Sequence, residues 1–251
     1  TRRSSDLVFM CKNITISFQH LTFSRQAETI LHNISGHFQE SSITALIGPS
    51  GSGKTTLLKM LNGLLSPTSG TITILNKRIE DYNPIELRTT VGIALQDAPI
   101  IRGTVFENLA LPYVLKGKTF TKQQALKALL EVGLDESFMN RDATDLSGGQ
   151  RQRLSLARTL VNEPKILLLD EITAALDPTA TLEIEQLIKN ITYERQVTTV
   201  WITHNIKQAL SVSDNLMLMD SGEIILFAPT RELTDKHRAI LEPFIQGGAH
   251  T

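Results

Sequence analysis

The sequence predicts an α/β fold in which a phosphate-binding loop sits in a parallel-sheet core, with a β-rich layer before it and a helical lobe inserted after it. Three observations predict this. The run Gly48-Pro49-Ser50-Gly51-Ser52-Gly53-Lys54-Thr55 stands between an apolar stretch, Ile43 to Ile47, and a helix-forming stretch, Thr56 to Leu61. A second continuous apolar run, Ile166 to Leu169, ends in Asp170-Glu171, the pattern of a strand buried on both faces. Between about Asp97 and Leu160 strong strand signals disappear.

The 251 residues suffice for one large domain, or for one domain with an inserted lobe. Lys plus Arg number 25 against 26 Asp plus Glu, a formal net charge of -1, so no global basic field points to nucleic acid. The single cysteine, Cys11, excludes an internal disulfide and a cysteine-based metal site, and reads as a small apolar residue. No apolar run approaches the roughly 20 residues that span a bilayer. Thr1 to Ser5 carries positive charge without a following apolar region, so no signal peptide is expected. Residues 1–7 are expected to form a disordered tail. A cytosolic location fits, and any work at a membrane is expected from its surface, through a partner.

The elements follow in order. From about Val8 to Phe38 the chain reads as strands: Ile14 to Phe18 and Leu21 to Phe23 alternate apolar and polar side chains, and Ile30, Ile34 and Phe38 continue the spacing. Ile43 to Ile47 is a buried strand leading into the glycine loop and its helix. Ser66 to Gly70 is a turn, and Thr71 to Leu75 and Val91 to Leu95 are short strands. Residues 8–96 thus form a β layer and the first part of the core. Residues 97–160 form the helical lobe, with helices from Thr121, a plausible cap, to Val132 and from 151 to 161. Residues 161–251 complete the core: a strand at Ile166 to Leu169, an amphipathic helix from Leu182 to Ile191, and strands at Thr198 to Ile202, Leu216 to Met219 and Ile224 to Phe227. The tail from Thr230 onward reads as helical and polar.

The chemistry concentrates in three places. In the glycine loop, glycines let successive backbone N–H groups turn inward on an anion, and the helix N-terminus adds its own unpaired donors. Lys54 is placed to reach terminal phosphates and the Thr55 hydroxyl to ligate Mg²⁺. Asp170 and Glu171 lie beyond the carboxyl end of a core strand, where open α/β sheets bind ligands. Asp170 can hold Mg²⁺, directly or through water, and Glu171 can polarise an attacking water. The third place is Leu146-Ser147-Gly148-Gly149-Gln150, where Ser147 can cap a helix and the glycines bare its first N–H groups. Two anion sites on separate lobes of one chain suggest a head-to-tail pair of chains, each closing on the nucleotide held by the other.

Read together, Gly48 to Thr55, Gln96, Leu146 to Gln150, Ile166 to Glu171, Ala175-Leu176-Asp177 and His204 resemble the nucleotide-binding subunit of ATP-binding cassette (ABC) transporters, over about residues 8 to 228. The resemblance implies a P-loop NTPase cassette with a RecA-like core, an N-terminal antiparallel β layer and an inserted helical lobe. It implies ATP and Mg²⁺ as ligands, with ATP on Gly48 to Thr56. Lys54, Gln96, Glu171 and His204 become catalytic, and Thr55, Gln96 and Asp170 metal-binding. Ser147, Gly148, Gly149, Gln150 and Asp177 would act on the nucleotide of the opposite subunit in a homodimer. The implied partner is an integral-membrane permease subunit, the implied location the cytoplasmic face of the cell membrane.

Two positions depart from the family pattern. Arg25 stands where the family stacks an aromatic residue on adenine; its guanidinium can stack, and Phe18 and Phe23 are the alternatives. Ile172 follows Glu171 where many members carry proline. The run Asp170 to Asp177 and the run Asn108 to Tyr113 resemble bacterial cassettes associated with iron or metal export, while Thr203-His204-Asn205 resembles phosphate-importer ATPases. A soluble non-transport ABC ATPase and a regulatory ATP-binding module are the alternatives of another class. Contact with the membrane subunit is expected near the hinge, Asp97 to Tyr113, where Ile100, Ile101, Val105 and Phe106 either offer an apolar groove or pack the lobe's own core.

Overall fold

The computed structural model describes residues 13–26, 28–97, 99–174 and 176–247. The expected tail at 1–7, the start of the first strand at Val8, Cys11 and Ala175 lie outside the described residues. In chain order the elements are β1 (Ile14–Arg25), β2 (Glu28–Gln39), β3 (Ile43–Ile47), α1 (Lys54–Leu61), β4 (Ser69–Ile74), β5 (Lys77–Arg78), α2 (Pro84–Thr90) and β6 (Val91–Ala94). Then come α3 (Val105–Val114), α4 (Lys122–Glu131), α5 (Gly148–Leu160), β7 (Ile166–Asp170), α6 (Pro178–Glu194) and β8 (Thr198–Ile202), and finally α7 (Ile206–Val212), β9 (Asn215–Asp220), β10 (Glu223–Pro229) and α8 (Asp235–Gly247).

The strands form two sheets. One is antiparallel, in the order β2-β1-β4-β5; the other is ordered β10-β9-β3-β8-β7-β6 and is parallel except for β10. The two short strands read at Ile14 to Phe18 and Leu21 to Phe23 are one strand in the structure. The register slips between Phe18 and Leu21, and His20 adopts a left-handed φ of 51°, so the break is absorbed as a bulge.

The continuous apolar runs are buried because both faces of the parallel sheet are covered. Leu167, Leu169 and Trp201 point into a cluster with α5 and α6, while Ile166, Leu168, Val200 and Ile202 point into a second cluster with α1 and the antiparallel sheet. A third cluster joins Ala45, Ile47, Leu216 and Leu218 to α7, β10 and α8. The two-residue period of a strand sorts successive side chains between these layers.

The helices of the lobe start from one repeated sequence device, the capping box. Thr104 with Glu107 opens α3, Thr121 with Gln124 opens α4 and Ser147 with Gln150 opens α5. The lobe has no interior of its own. Leu109, Ala125, Leu129 and Leu154 share one cluster with Leu167, Leu169, Ile184 and Ile188 of the core. Arg153 reinforces the junction: it donates to the Val132 carbonyl at 2.7 Å and pairs with Glu183 on α6.

The C-terminal tail corrects the sequence reading. α8 is not polar all round. Leu241 is 2% exposed, and with Leu233 and Phe244 it docks on Ile206, Ala209, Leu226 and Ala228. Leu241 and Phe244 stand one helical turn apart on α8, and Leu233 precedes the helix, in a stretch otherwise rich in charge. Leu241→Ala is expected to lower the free energy of unfolding by about 2 to 5 kcal/mol, the range for a leucine truncated in a packed core. Urea denaturation of the full chain measures it; an unchanged midpoint is incompatible with a docked tail.

Candidate functional site

The glycine loop connects β3 to α1, and its glycines are dictated by space and backbone. Gly48 has φ 142°, and a Cβ there would lie 1.9 Å from the Met219 carbonyl oxygen. Gly53 has φ 97°, and its Cβ would lie 2.4 Å from Leu31 Cδ2 on β2. The loop is pinned by Ser52 N–H donating to the Pro49 carbonyl at 3.2 Å and by Gly222 N–H donating to the Ser52 carbonyl at 3.3 Å. Pro49, Ser50 and Gly51 face solvent, whereas Ser52, Gly53 and Lys54 are buried and Thr55 and Thr56 half-buried. The Lys54 ammonium donates to the carbonyls of Gly48 at 2.9 Å and Pro49 at 2.7 Å and to Ser52 Oγ at 3.3 Å. Burial pushes its pKa below the ordinary 10.5, against the pull of Glu171 and Asp170.

Strand register brings the other polar groups to the same edge. Leu46 pairs with Ile202, Ile202 with Asp170, and Leu169 with Ala94, so the carboxyl ends of β3, β8, β7 and β6 finish level. Asp170, 6% exposed, accepts from the Thr55 hydroxyl at 3.3 Å. Glu171 turns out of the strand with a left-handed φ of 52°, while its N–H donates to the Ile202 carbonyl at 3.1 Å. Its Oε1 lies 2.6 Å from His204 Nε2. Gln96 is exposed on the turn two residues beyond Ala94, and the preceding carbonyl, of Leu95, accepts from Gln152 of α5 at 3.4 Å. Among the described residues no group of three or more His, Cys, Asp or Glu side chains is arranged to hold a metal. A divalent ion here would have the Thr55 hydroxyl and Asp170 as protein ligands, with the remaining positions open to phosphate oxygens and water. That donor set, all oxygen and few in number, suits Mg²⁺.

In the Leu146 to Gln150 segment the capping side chains bond to their own helix end. Ser147 N–H donates to Gln150 Oε1 at 3.0 Å and Gln150 N–H to Ser147 Oγ at 3.3 Å, so both side chains close on the helix end itself. Ser147 and Gly148 are exposed, and a Cβ on Gly149 would lie 3.2 Å from Leu176. Asp177 caps α6, accepting from Thr179 N–H and Ala180 N–H at 3.0 Å each. A cleft of about 770 Å³ opens beside Glu171 and His204 towards α6 and α7, and none of its lining comes from Gly48 to Thr55.

Arg25 is exposed at the end of β1, opposite Glu28 at the mouth of the hairpin whose next residues reach Leu31 and the loop. Phe18 and Phe23 are core residues, 1% and 9% exposed, with Phe18 packed on Phe38 at 5.9 Å, which removes both as stacking platforms. The hinge also differs from the apolar groove offered at Ile100 to Phe106. Val105 is fully buried, Ile100 and Phe106 pack on the core, and Ile101 alone is well exposed. The cause is Asn108, whose amide donates to the carbonyls of Ile101 at 2.8 Å and Thr104 at 3.0 Å and folds the hinge inward. An apolar groove of about 550 Å³ lies instead between α2 and α3, lined by Leu64, Ile85, Arg88, Leu111, Leu115 and Lys116. Ile85 and Leu115 are 65% and 74% exposed. The readable signal for α2 was Asn83-Pro84, a cap followed by proline at the first helical position, with Asn83 Oδ1 accepting from Ile85 N–H.

Burial holds the Asp170 carboxyl above its ordinary 3.8, with the Thr55 hydroxyl opposing the shift. A carboxyl whose folded pKa exceeds its unfolded one subtracts stability when ionised, and the loss is relieved as pH falls through the raised value towards 3.8. Asp170→Asn is therefore expected to raise the thermal midpoint of the ligand-free protein at pH 7, with the gain shrinking on acidification. Differential scanning calorimetry across pH checks both; a gain that grows towards acid contradicts the assignment.

A family model described as ABC transporter matches residues 31–174. The Bacillus subtilis (strain 168) protein YjkB, which carries the name of an ABC transporter ATP-binding protein, is 44% identical over 225 residues, covering 89% of this chain and 89% of that protein. The phosphate import ATP-binding protein PstB of Aeropyrum pernix is 36% identical over 233 residues, covering 87% of this chain and 92% of PstB. A solved dimeric structure, a post-hydrolysis state of the ATP-binding cassette MJ0796 bound to ADP and Pi, has a TM-score of 0.79 at 31% identity, covering 86% of this chain and 99% of that one. On the matched residues, the fold and the identity to these proteins, the chain belongs to the ABC transporter family.

Proposed function

We propose that this chain is the ATP-hydrolysing subunit of a transporter, working as a head-to-tail homodimer beneath a separate membrane subunit. The observation that carries the reading is the Glu171–His204 contact of 2.6 Å, set one residue beyond Asp170 and level with the glycine loop. ATP occupies Gly48 to Thr56, with Arg25 as the candidate for its base. Thr55 and Asp170, with Gln96 as a third candidate, would hold Mg²⁺, which when bound would neutralise charge on the transferred phosphoryl group. Lys54 exchanges its loop carbonyls for phosphate oxygens. Glu171 orients the attacking water and takes up its proton, while His204 holds Glu171 and faces the γ-phosphate. The water oxygen bonds to the γ-phosphorus, the bridging P–O bond breaks, and ADP and phosphate leave.

The exposed Pro49 to Gly51 edge gives the reading its dimeric half. Ser147, Gly148, Gly149 and Gln150 present a capped helix end that faces outward on its own chain, and the related MJ0796 cassette is dimeric with its nucleotide. In that arrangement these residues and Asp177 serve the partner copy's ATP. The groove of Ile85, Leu111 and Leu115, with Ile85 and Leu115 largely exposed, is the seat for the membrane subunit. The chain then sits peripherally on the cytoplasmic face.

Metal-ion export, of iron or another metal, is the cargo we assign, on the resemblance of Asp170 to Asp177 and Asn108 to Tyr113 to metal-export cassettes. Phosphate or other solute import is the second reading, favoured by the 36% identity to PstB.

Glu171→Gln is expected to cut steady-state ATP turnover by about a hundredfold or more while leaving ATP binding intact. It should also yield an ATP-bound dimer by size-exclusion chromatography; wild-type turnover would overturn the site. Vesicles holding the subunit with its membrane partner should show ATP-dependent movement of ferrous or other divalent metal ions. Movement of phosphate and not metal would replace the first cargo by the second.

A further inference from the structure

The Glu171–His204 contact joins two loops, and one buried side chain lies under both. Gln208, on the first turn of α7, is 5% exposed. Its Oε1 accepts from the Thr203 hydroxyl at 2.6 Å, the residue before His204. Its Nε2 donates to Thr173 Oγ1 at 3.1 Å, two residues after Glu171, and to Glu185 Oε1 on α6 at 2.9 Å. Asn205 closes the circuit. Its N–H donates to Thr203 Oγ1 at 3.1 Å, and its Oδ1 accepts from Gln208 N–H at 3.1 Å. A primary amide offers two donors and an acceptor, and here all are used on three different segments.

We infer that Gln208 is a positioning residue for hydrolysis, fixing the Glu171 loop against the His204 loop through Thr173 and Thr203. This rests on the hydrolytic reading given above. Glu171 leaves its strand in a left-handed conformation that a non-glycine residue holds only when its surroundings impose it. The Ile202 carbonyl fixes its backbone, and the Gln208 amide fixes the segment that follows. Without that amide the Thr173 and Thr203 hydroxyls and the Glu185 carboxylate lose their shared partner. The loops could then part while the phosphate loop, which Gln208 does not touch, keeps its shape. The expected signature is a loss in turnover with nucleotide affinity preserved.

The test uses the full chain and separates kcat from KM. Gln208→Met, similar in volume but without the amide, should lower kcat for ATP about tenfold, with KM changed by no more than about twofold. Gln208→Glu alone places a carboxylate against Glu185 and should lower kcat as well. The exchanged pair Gln208→Glu with Glu185→Gln restores a donor facing an acceptor and should return kcat to within about threefold of wild type. Should Gln208→Met fail to fold, Thr173→Val, which removes one hydroxyl, must still reduce kcat. Wild-type kcat in Gln208→Met or in Thr173→Val overturns the inference, as does an exchanged pair no better than Gln208→Glu. Normal turnover in Glu171→Gln would instead sink the hydrolytic reading, so the two failures are distinguishable.

Discussion

The register of three parallel strands, in which Leu46, Ile202 and Asp170 share one row, is the constraint on which the site depends. Hydrogen bonding between strands sets the row, and burial on both faces holds it. A slip by one residue would exchange the layers into which Leu168 and Leu169 point, which packing does not allow. Because the row is held, the glycine loop, the Asp170 carboxyl, Glu171 and His204 emerge at one level from segments far apart in sequence. Side-chain contacts such as Thr55 to Asp170 and Glu171 to His204 then lock a row that the strands have already set.

The same arrangement works against stability. An ammonium and a carboxyl are held in a poorly solvated edge, and both feel it: burial depresses the pKa of Lys54 and raises that of Asp170. Their opposite charges offset only part of the desolvation. Lys54 meets its remaining need with the loop carbonyls, and Asp170 with the Thr55 hydroxyl. Anionic phosphates and a cation are the ligands that would complete both. Opposed shifts of this kind at one edge are usual for functional sites.

Much of this was legible in the residues. The glycine loop was readable because its glycines, Lys54 and Thr55 stand at a fixed spacing between an unambiguous strand and helix. β7 was readable because nothing polar interrupts Ile166 to Leu169. The α2 and α3 helices were harder, since their caps at Asn83 and Thr104 are short signals within mixed sequence. The docking of Leu241 depends on three residues spaced along a charged tail. The fate of Phe18, Phe23, Val105 and Phe106 was not legible, because an apolar residue near a site reads the same whether it faces a ligand or the interior. Gln208 was invisible for a related reason: its partners, Thr173, Glu185 and Thr203, meet only after the strands have aligned.

The shared interior of the helical lobe and the sheet bears on how such chains can be recombined. Leu109, Leu129 and Leu154 pack with Ile184 and Ile188 across the junction, and Arg153 reaches Glu183. The segment between Gln96 and Leu160 is continuous in sequence but is not a module in the sense that matters for grafting. A chimera that imports a relative's lobe and keeps this α6 would join two half-interfaces selected for different partners. The workable exchange unit is the lobe together with α6, which follows β7 in sequence but shares the lobe's cluster.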